Sequence, residues 1–417
     1  MFLIYEISLP VIALILLPII VLALIAVPKF RAGFFEKLGF YKSKIEKKEG
    51  TTVFHAVSVG ETNAIADTVK EYKKQYPERK IVITNTTKTG HDIALKTFKD
   101  IADEITYFPF DFIFSVKSFF NAYNPEKIVI AETEIWPEFV KEAKRRGIKV
   151  YIANGRISPH SYNGYMKVSF IFKHVLCLYE KIFMQTKADV QRIKDIGAPD
   201  NKVEFMGNLK FDITKNLTAE EQSALRERFK VHYPVLIAAS THEGEDEIAL
   251  KTYAKLKEKH QNLKMLIAPR HPQRFNSVYE LIQKYKFTSG KVSEKATFED
   301  ADIILGDTMG ELAKFFSFCS VAYIGGSFFG PGGHNPLEAN IWNKPVVSGP
   351  NVANFKDIYK ILTEKGAAIV AKDEEEFYRA LDLWFSDIKE LEKASAFAGE
   401  VFAENRGAVK FLINRLS

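Results

Sequence analysis

The chain contains 417 residues, of which 47% are apolar, so it is too long for one ordinary hydrophobic core and can fill two. Its formal net charge is +6, and its two cysteines, Cys177 and Cys319, each lie inside an apolar run, which supports neither a disulfide framework nor a cysteine metal site. The nine histidines form no His-Glu-x-x-His pattern, so the sequence also argues against a zinc hydrolase.

The first predicted element is an uncharged run from Ile7 to Val27, which as a helix would be about 32 Å long and could cross the hydrocarbon core of a membrane. No Lys or Arg precedes the run, whereas Lys29 and Arg31 follow it. We therefore expect residues 1–28 to be a membrane anchor whose positive flank stays cytoplasmic, and not a cleaved signal peptide. Two prolines inside the run could kink the helix, so a helix lying in the membrane interface is the alternative.

A basic segment follows the predicted anchor. Between Lys29 and Gly50, seven basic side chains outnumber three acidic ones, so four of the six net positive charges of the protein lie here. The segment suits the anionic head groups of a membrane better than a nucleic acid, and a solvated linker is the alternative. Its interleaved apolar side chains are Phe34, Phe35, Leu38 and Phe40.

Downstream, short β-branched runs alternate with longer amphipathic stretches such as Ala64 to Tyr76, which is typical of βαβ units. The predicted strands of the first half are Thr52 to Val57, Ile81 to Thr84, Ile128 to Ala131 and Val150 to Ala153. Those of the second half are Val235 to Ala239, Lys264 to Ala268, Ile303 to Leu305, Val321 to Ile324 and Pro345 to Val347.

This alternation predicts an α/β protein with two doubly wound, Rossmann-like domains that face each other across a ligand-binding cleft. We place the first domain at residues 29–206 and the second at 207–395, with a turn-rich link near Met206 to Asp212. The chain from about Lys389 to Ser417 is predicted to be helical, and residues 396–417 could return to the first domain.

Three loops at strand ends carry candidate chemistry in the first domain. In Ser58-Val59-Gly60-Glu61, the carboxylate of Glu61 lies where a strand meets a helix, so it is either a general base or a group that complements the helix dipole. The next loop contains Thr87, Lys88 and Thr89 and either binds an anion or sugar or caps a helix. The third contains Glu132 and Glu134, which could divide acid and base roles, or one of which could simply hold Arg156.

In the second domain, the most informative stretch is a glycine-rich loop that runs from Ile324 to Glu338. Glycines allow backbone N–H groups to approach an anion, and a following helix adds its partial positive charge, so the loop predicts a phosphate site; a simple chain turn is the alternative. Two other loops follow strands: Ser240-Thr241-His242-Glu243 and Pro269-Arg270-His271-Pro272. Arg270, and Arg274 just after this loop, could grip a phosphate or carboxylate, or lie solvated in a surface turn.

Taken together, seven ordered motifs resemble those of the 3-deoxy-D-manno-octulosonic acid (Kdo) transferases, from about residue 30 to the C-terminus. They are His55 to Glu61, Glu132 to Pro137, Gly207 to Asp212, Ser240 to Glu245, Pro269 to Pro272, Asp307 to Leu312, and Gly325 to Glu338. The resemblance implies a GT-B fold and transfer of Kdo from CMP-Kdo to a lipid A precursor at the cytoplasmic face of a Gram-negative inner membrane. It implies no metal, no cofactor and no nucleic acid.

The resemblance also implies roles for single residues. Glu61 matches the general base of an inverting displacement, and Lys210 could neutralise the Kdo carboxylate or the phosphate. Backbone donors around Gly332 to Asn335, together with Arg270, could stabilise the departing CMP. Substrate contacts are further implied for Met309, Gly310, Glu311, Gly326, Ser327, Gly333, His334, Asn335 and Glu338. The alternatives are another GT-B transferase that uses a nucleotide sugar on a membrane lipid, and a membrane-tethered nucleotide-binding module without catalysis.

Overall fold

The computed structural model describes residues 2–42, 45, 50–213, 217–330 and 332–416. Three lysines of the basic segment, at positions 44, 47 and 48, therefore lie outside the described residues. The chain divides into two compact units. The N-terminal unit is formed by Met1–Asp212 and Arg406–Ser417, and the C-terminal unit by Ile213–Asn405. The predicted link near residues 206–212 ends where the C-terminal unit begins.

The described part of the N-terminal unit contains a seven-stranded sheet with all strands parallel, in the order β3-β2-β1-β4-β5-β6-β7. Its strands are β1 (Thr51–His55), β2 (Lys80–Asn85), β3 (Glu104–Tyr107), β4 (Pro125–Ala131), β5 (Lys149–Gly155), β6 (Lys181–Met184) and β7 (Val203–Phe205). Ile128 and Ile130 of β4 pack into one core cluster, whereas Val129 and Ala131 pack into another. The sheet is therefore covered on both faces, which explains the continuous apolar runs in its central strands.

Twelve described helices precede or cover this sheet. They are α1 (Phe2–Ile15), α2 (Leu17–Ala26), α3 (Pro28–Arg31), α4 (Phe34–Lys37), α5 (Val59–Ala64), α6 (Ala66–Gln75), α7 (Lys88–Thr97), α8 (Ile113–Tyr123), α9 (Pro137–Arg145), α10 (Pro159–Lys167), α11 (Ser169–Leu176) and α12 (Lys187–Ile196). The helix predicted from Ala64 to Tyr76 corresponds to α6, and only Ala64 belongs to the preceding helix, α5.

The predicted transmembrane helix is not confirmed. Within residues 2–42 and the other described ranges, no single helix is long and apolar enough to cross a membrane. Only the helix pair Tyr5–Ile15 and Leu17–Ala26, which is bent by 58° at its junction, is together long and apolar enough to cross one, by length and composition alone. The break has a local cause, because Pro18 in the first turn of α2 has no N–H to donate back to α1. The side chain of Tyr5 donates a 2.8 Å hydrogen bond to the buried Asp111.

The described part of the C-terminal unit contains a second seven-stranded parallel sheet, in the order β10-β11-β9-β8-β12-β13-β14. Its strands are β8 (Val235–Thr241), β9 (Lys264–Pro269), β10 (Ser289–Lys291), β11 (Ile303–Leu305), β12 (Val321–Ile324), β13 (Val346–Ser348) and β14 (Ala368–Val370). Its helices are α13 (Ala219–Phe229), α14 (Glu245–Lys259), α15 (Phe275–Lys284), α16 (Leu312–Phe315), α17 (Leu337–Asn340), α18 (Lys356–Glu364), α19 (Glu374–Ser386) and α20 (Ile388–Asn405). The predicted α/β architecture with two parallel sheets is confirmed.

The C-terminal region is not one helix, because α20 ends at Asn405 and α21 (Ala408–Arg415) begins after Gly407. Gly407, the N-cap residue of α21, has a left-handed φ of 107°, a conformation that costs glycine little. The carboxylate of Asp212 caps α21 by accepting N–H bonds from Gly407, at 2.5 Å, and from Val409. Leu412 and Leu416 are buried in a core cluster of the N-terminal unit.

Candidate active site

Strand order locates one candidate site in each unit. The order reverses between β1 and β4 in the N-terminal unit and between β8 and β12 in the C-terminal unit. In open α/β sheets, ligands bind beyond the carboxyl ends of the strands at such a reversal. The loops that leave these four strands are those of Glu61, of Glu132 and Glu134, of Ser240 to Glu245, and of the glycine-rich segment. Topology thus selects these loops from the predicted motifs.

Glu61 lies in the first turn of α5, directly after β1, and its carboxylate is held from two sides. The N–H of Val57 donates to Oε2 at 2.6 Å, and the hydroxyl of Ser58 donates to Oε1 at 3.0 Å. Burial raises the pKa of Glu61 to about 7, the two hydrogen bonds oppose this, and the negative charges of Glu132 and Glu134 add to it. A carboxyl group with a pKa near 7 can exchange a proton with a substrate at neutral pH.

Glu132 and Glu134 follow β4 and lie near enough to Glu61 to disfavour its ionisation. Burial, followed by the charge of Glu132, also raises the pKa of Glu134. The loop is braced by its neighbours: the Thr133 hydroxyl donates to the carbonyl of Arg156 and accepts from its N–H, both at 2.8 Å. The backbone of Arg156 is therefore fixed beside the two glutamates.

Three residues at strand ends adopt left-handed backbone conformations that are uncommon outside glycine. They are Glu132 after β4 (φ 59°), Asn154 in β5 (φ 58°) and Ser240 in β8 (φ 53°). Such conformations cost about 1–3 kcal/mol each and cluster at functional sites. Asn154 is also fully buried, and its Oδ1 accepts the N–H of Leu209 at 3.0 Å, so it holds the short turn that contains Lys210. Sequence reasoning did not select Asn154.

The loop after β2 has the helix-capping structure that was one of its two interpretations. The hydroxyl of Thr87 accepts the N–H of Gly90 at 3.1 Å and donates to the carbonyl of Val57 at 2.9 Å. It thereby ties the start of α7 to the loop of Glu61. Lys88 pairs with Asp92 at 2.6 Å, and Thr89 is exposed in the first turn of α7.

The glycine-rich loop of the C-terminal unit is closed around a side chain that sequence reasoning did not select. Oε2 of Glu245 accepts the N–H of Gly326 at 2.7 Å, and Oε1 accepts those of Ser327 at 2.8 Å and Phe328 at 2.7 Å. The Ser327 side chain is fully buried and bonds within the loop. These amides are thus engaged by the protein itself. The helix expected after the loop is present but short, because α17 has only four residues.

Two imidazoles meet at the mouth of this loop. Nε2 of His242 and Nε2 of His334 lie 2.9 Å apart, which is a hydrogen bond when one ring donates and the other accepts. Burial, followed by the nearby Arg270 charge, lowers the pKa of His334 to about 4, so this ring is neutral at pH 7. Arg270 and His271 are exposed beside the pair, and burial raises the pKa of Glu338 against the opposing charge of Arg270.

The remaining predicted residues of the C-terminal unit differ in their exposure and in their hydrogen-bond contacts. Thr241 is buried, and its hydroxyl donates to Asp246 at 2.6 Å, so its side chain makes a structural contact. Glu243 is exposed, and Met309 and Gly310 lie in an exposed turn before α16, with Glu311 as its N-cap residue. The Oδ1 of Asn335 accepts the N–H of Leu337 at 3.1 Å, and Gly333 has a left-handed φ of 77°. Over the described ranges, no group of three or more His, Cys, Asp or Glu side chains is placed to hold a metal ion.

Comparisons with known proteins agree with these motifs. The family model described as 3-deoxy-D-manno-octulosonic-acid transferase (kdotransferase) matches residues 32–213. A curated protein of that name from Haemophilus influenzae is 34% identical over 392 residues, which cover 93% of this chain and 92% of the relative. A second, from Aquifex aeolicus, is 30% identical over 84% of this chain and 91% of its own length.

Among solved structures, a UDP-GlcNAc 2-epimerase from Neisseria meningitidis superimposes with a TM-score of 0.55 at 14% identity, covering 88% of this chain and 98% of the epimerase. At that identity the likeness concerns the fold alone. It agrees with the two parallel α/β sheets of a GT-B protein.

Proposed function

Because this chain belongs to the Kdo transferase family and is therefore a glycosyltransferase, we propose that it moves Kdo from CMP-Kdo to a lipid A precursor, with Glu61 as the general base. The observation that carries the proposal is the setting of Glu61: a partly buried carboxyl group with a pKa of about 7, at the strand reversal of the N-terminal sheet. An ordinary exposed glutamate would be a weaker base, because a lower pKa means a lower proton affinity.

In the proposed reaction, a hydroxyl of the acceptor attacks the anomeric carbon of Kdo while Glu61 takes the hydroxyl proton. The new C–O bond forms as the bond from the anomeric carbon to the CMP phosphate breaks, so CMP leaves as an anion and the configuration inverts. Glu132 and Glu134 keep the pKa of Glu61 high in this scheme. Ser58 orients the carboxylate through its 3.0 Å hydrogen bond.

We assign the acceptor to the N-terminal unit and the donor to the C-terminal unit. Arg270 and the His242–His334 pair supply polar groups for the phosphate of CMP, and Glu338 for the ribose. The acceptor side includes Gly60, Lys88, Thr89 and Arg156, and the cytidine side includes Met309, Gly310 and Glu311. Lys210 is assigned to the donor, for the Kdo carboxylate or the phosphate. Each of these assignments is a proposal that the motifs support.

Attachment to the inner membrane is likewise a proposal. It is supported by apolar side chains that the N-terminal unit leaves exposed, including Leu14 and Ile15 of α1, each 70% exposed, and Leu22 of α2, 65% exposed. Phe35 and Phe40 are 67% and 68% exposed in the segment that follows. Exposed apolar surface of this kind marks sites of membrane or protein contact.

The test is a donor panel with a tetraacylated disaccharide bisphosphate as acceptor. Purified protein in detergent is given CMP-Kdo generated in place, other CMP sugars and uridine nucleotide sugars, and lipid products are separated and identified. Among these donors, we expect only CMP-Kdo to give a lipid product. Product with a uridine donor and none with CMP-Kdo would contradict the proposed donor. Turnover of CMP-Kdo without Kdo on the lipid would contradict the proposed acceptor.

A further inference from the structure

Glu245 is a fully buried carboxylate at the first position of α14. Both of its oxygens are occupied by backbone N–H donors: Oε2 accepts from His242 at 2.8 Å and from Gly326 at 2.7 Å, and Oε1 accepts from Ser327 and Phe328. Burial alone would raise the pKa of Glu245, but these four donors hold it below its usual value, so the group is an anion at neutral pH.

Successive backbone N–H groups of a glycine-containing turn form a concave site that binds anions. In many proteins the anion is a phosphate of the ligand, and the sequence suggested the same use here. In this chain the anion is Glu245 itself. The bonds span about 80 residues of sequence, and they join the loop after β8 to the loop after β12.

The geometry of Gly326 shows how closely the glycine-rich loop folds on itself. Its φ is 71°, and a Cβ atom built on it would lie 2.9 Å from Cδ2 of His334. The N–H of His334 in turn donates to the carbonyl of Gly325 at 3.1 Å. The position of the His334 ring, 2.9 Å from His242, is therefore set by the same loop that Glu245 holds.

The adjacent acid, Asp246, makes a parallel contact with a third loop. It is buried, it accepts the Thr241 hydroxyl at 2.6 Å, and it pairs with Arg274 after β9. The side chain of Arg274 is thus bound inside the protein, whereas Arg270 remains exposed. Two consecutive carboxylates at the start of α14 hold all three strand-end loops of the C-terminal site.

We propose that Glu245 is a positioning residue that occupies the anion site of the glycine-rich loop and thereby places the His242–His334 pair for the donor. It follows that the phosphate of the donor is bound by side chains, Arg270 and the imidazoles, and not by the amides of residues 326–328. This inference rests on the proposed function for its substrate, CMP-Kdo. Its structural part, the carboxylate clasp, stands independently of that substrate.

The test uses Glu245→Gln, which keeps the volume but turns one acceptor oxygen into a donor that faces two N–H groups. Glu247→Gln is the matched control, since Glu247 lies in the same helical turn and is exposed, paired only to Lys251 at 3.1 Å among the contacts described. We expect Glu245→Gln to raise KM for CMP-Kdo by at least about tenfold, equivalent to about 1.4 kcal/mol, with KM for the lipid acceptor unchanged. Glu245→Asp, which keeps the charge but is shorter, should recover part of the loss and serves as the assay variant if Glu245→Gln does not fold.

A fall in kcat with no change in donor KM would overturn the proposal, as would a CMP complex whose phosphate is bonded to the amides of 326–328. Amide hydrogen exchange of the unliganded protein gives a readout that needs no substrate. We expect the amides of 326–328 to be protected in the wild type and in Glu247→Gln and to exchange faster in Glu245→Gln. Equal exchange would disprove the clasp, whereas a protected loop in a protein that makes no product from CMP-Kdo would disprove the proposed function and leave the clasp intact.

Discussion

The setting of Glu61 predicts how the transfer rate depends on pH. A general base acts only when deprotonated, so the active form is lost as pH falls through its pKa. With the pKa of Glu61 at about 7, about half of the groups are ionised at pH 7 and about 1% at pH 5, so kcat/KM should fall about 50-fold between them. With an ordinary glutamate pKa of 4.5 the fall would be less than about twofold.

The assay is initial rate at limiting CMP-Kdo from pH 5 to 8, with the folded state checked by tryptophan fluorescence at each pH. Phosphate groups of the acceptor can titrate in this range as well, so a variant must separate the two sources. Glu132→Gln removes a negative charge that raises the pKa of Glu61, and it should shift the midpoint of the profile to lower pH. A midpoint set by the acceptor would not move.

A rate that stays within twofold from pH 7 to pH 5 would refute the reasoning, since it would mean that no group with a pKa near 7 is needed in its basic form. An unchanged midpoint in Glu132→Gln would refute the assignment of the titration to Glu61. Glu61→Ala should lower kcat by about 10²–10⁴-fold and remove the pH dependence of what remains.

Three further substitutions test other parts of the structure. Gly326→Ala places a methyl group against His334 at a left-handed φ, so donor KM should rise while acceptor KM stays constant; an unaltered donor KM would show that the loop tolerates the methyl group. Asp212→Asn weakens the cap of α21 by about 1 kcal/mol and should lower the unfolding temperature of the N-terminal unit by about 2–4 °C; no change would show that the cap contributes nothing. Asp111→Ala leaves two N–H groups of α9 unpaired, at a cost of about 1–3 kcal/mol. Calorimetry should therefore show a larger fall in the unfolding temperature than for Asp212→Asn.

Much of the fold was predictable because its central strands are buried on both faces. Each of the nine predicted strands overlaps an observed strand, and the five that sequence reasoning missed are β3, β6, β7, β10 and β14. Four of these are edge strands of three or four residues, and the fifth is next to an edge. Length alone does not explain the omissions, because β11 and β13 also have three residues and were predicted. The missed edge strands are less buried, as in β10, where no residue is buried, so the local sequence gives a weaker apolar signal.

The candidate site likewise has a part that the sequence could predict and a part that it could not. Glu61 was predictable because a carboxylate directly after a strand is visible in a short window of sequence. The contacts of Glu245 with the glycine-rich loop and of His242 with His334 were not predictable, because they join residues about 80 to 90 positions apart. The motif Ser240 to Glu245 contained the signal, since its two glutamates differ in setting: Glu243 is exposed and Glu245 is buried, a difference that depends on the direction in which α14 begins.

The most direct test of the central claim is the mass of the lipid product made by wild-type protein, Glu61→Ala and Glu71→Ala. Glu71 is an exposed glutamate on α6 and serves as the matched control. The account predicts that the tetraacylated acceptor gains the mass of one or more Kdo units with the wild type and with Glu71→Ala, and stays unmodified over the same time with Glu61→Ala. Kdo-bearing lipid formed at the same rate by Glu61→Ala, or no Kdo-bearing lipid from the wild type, would contradict it.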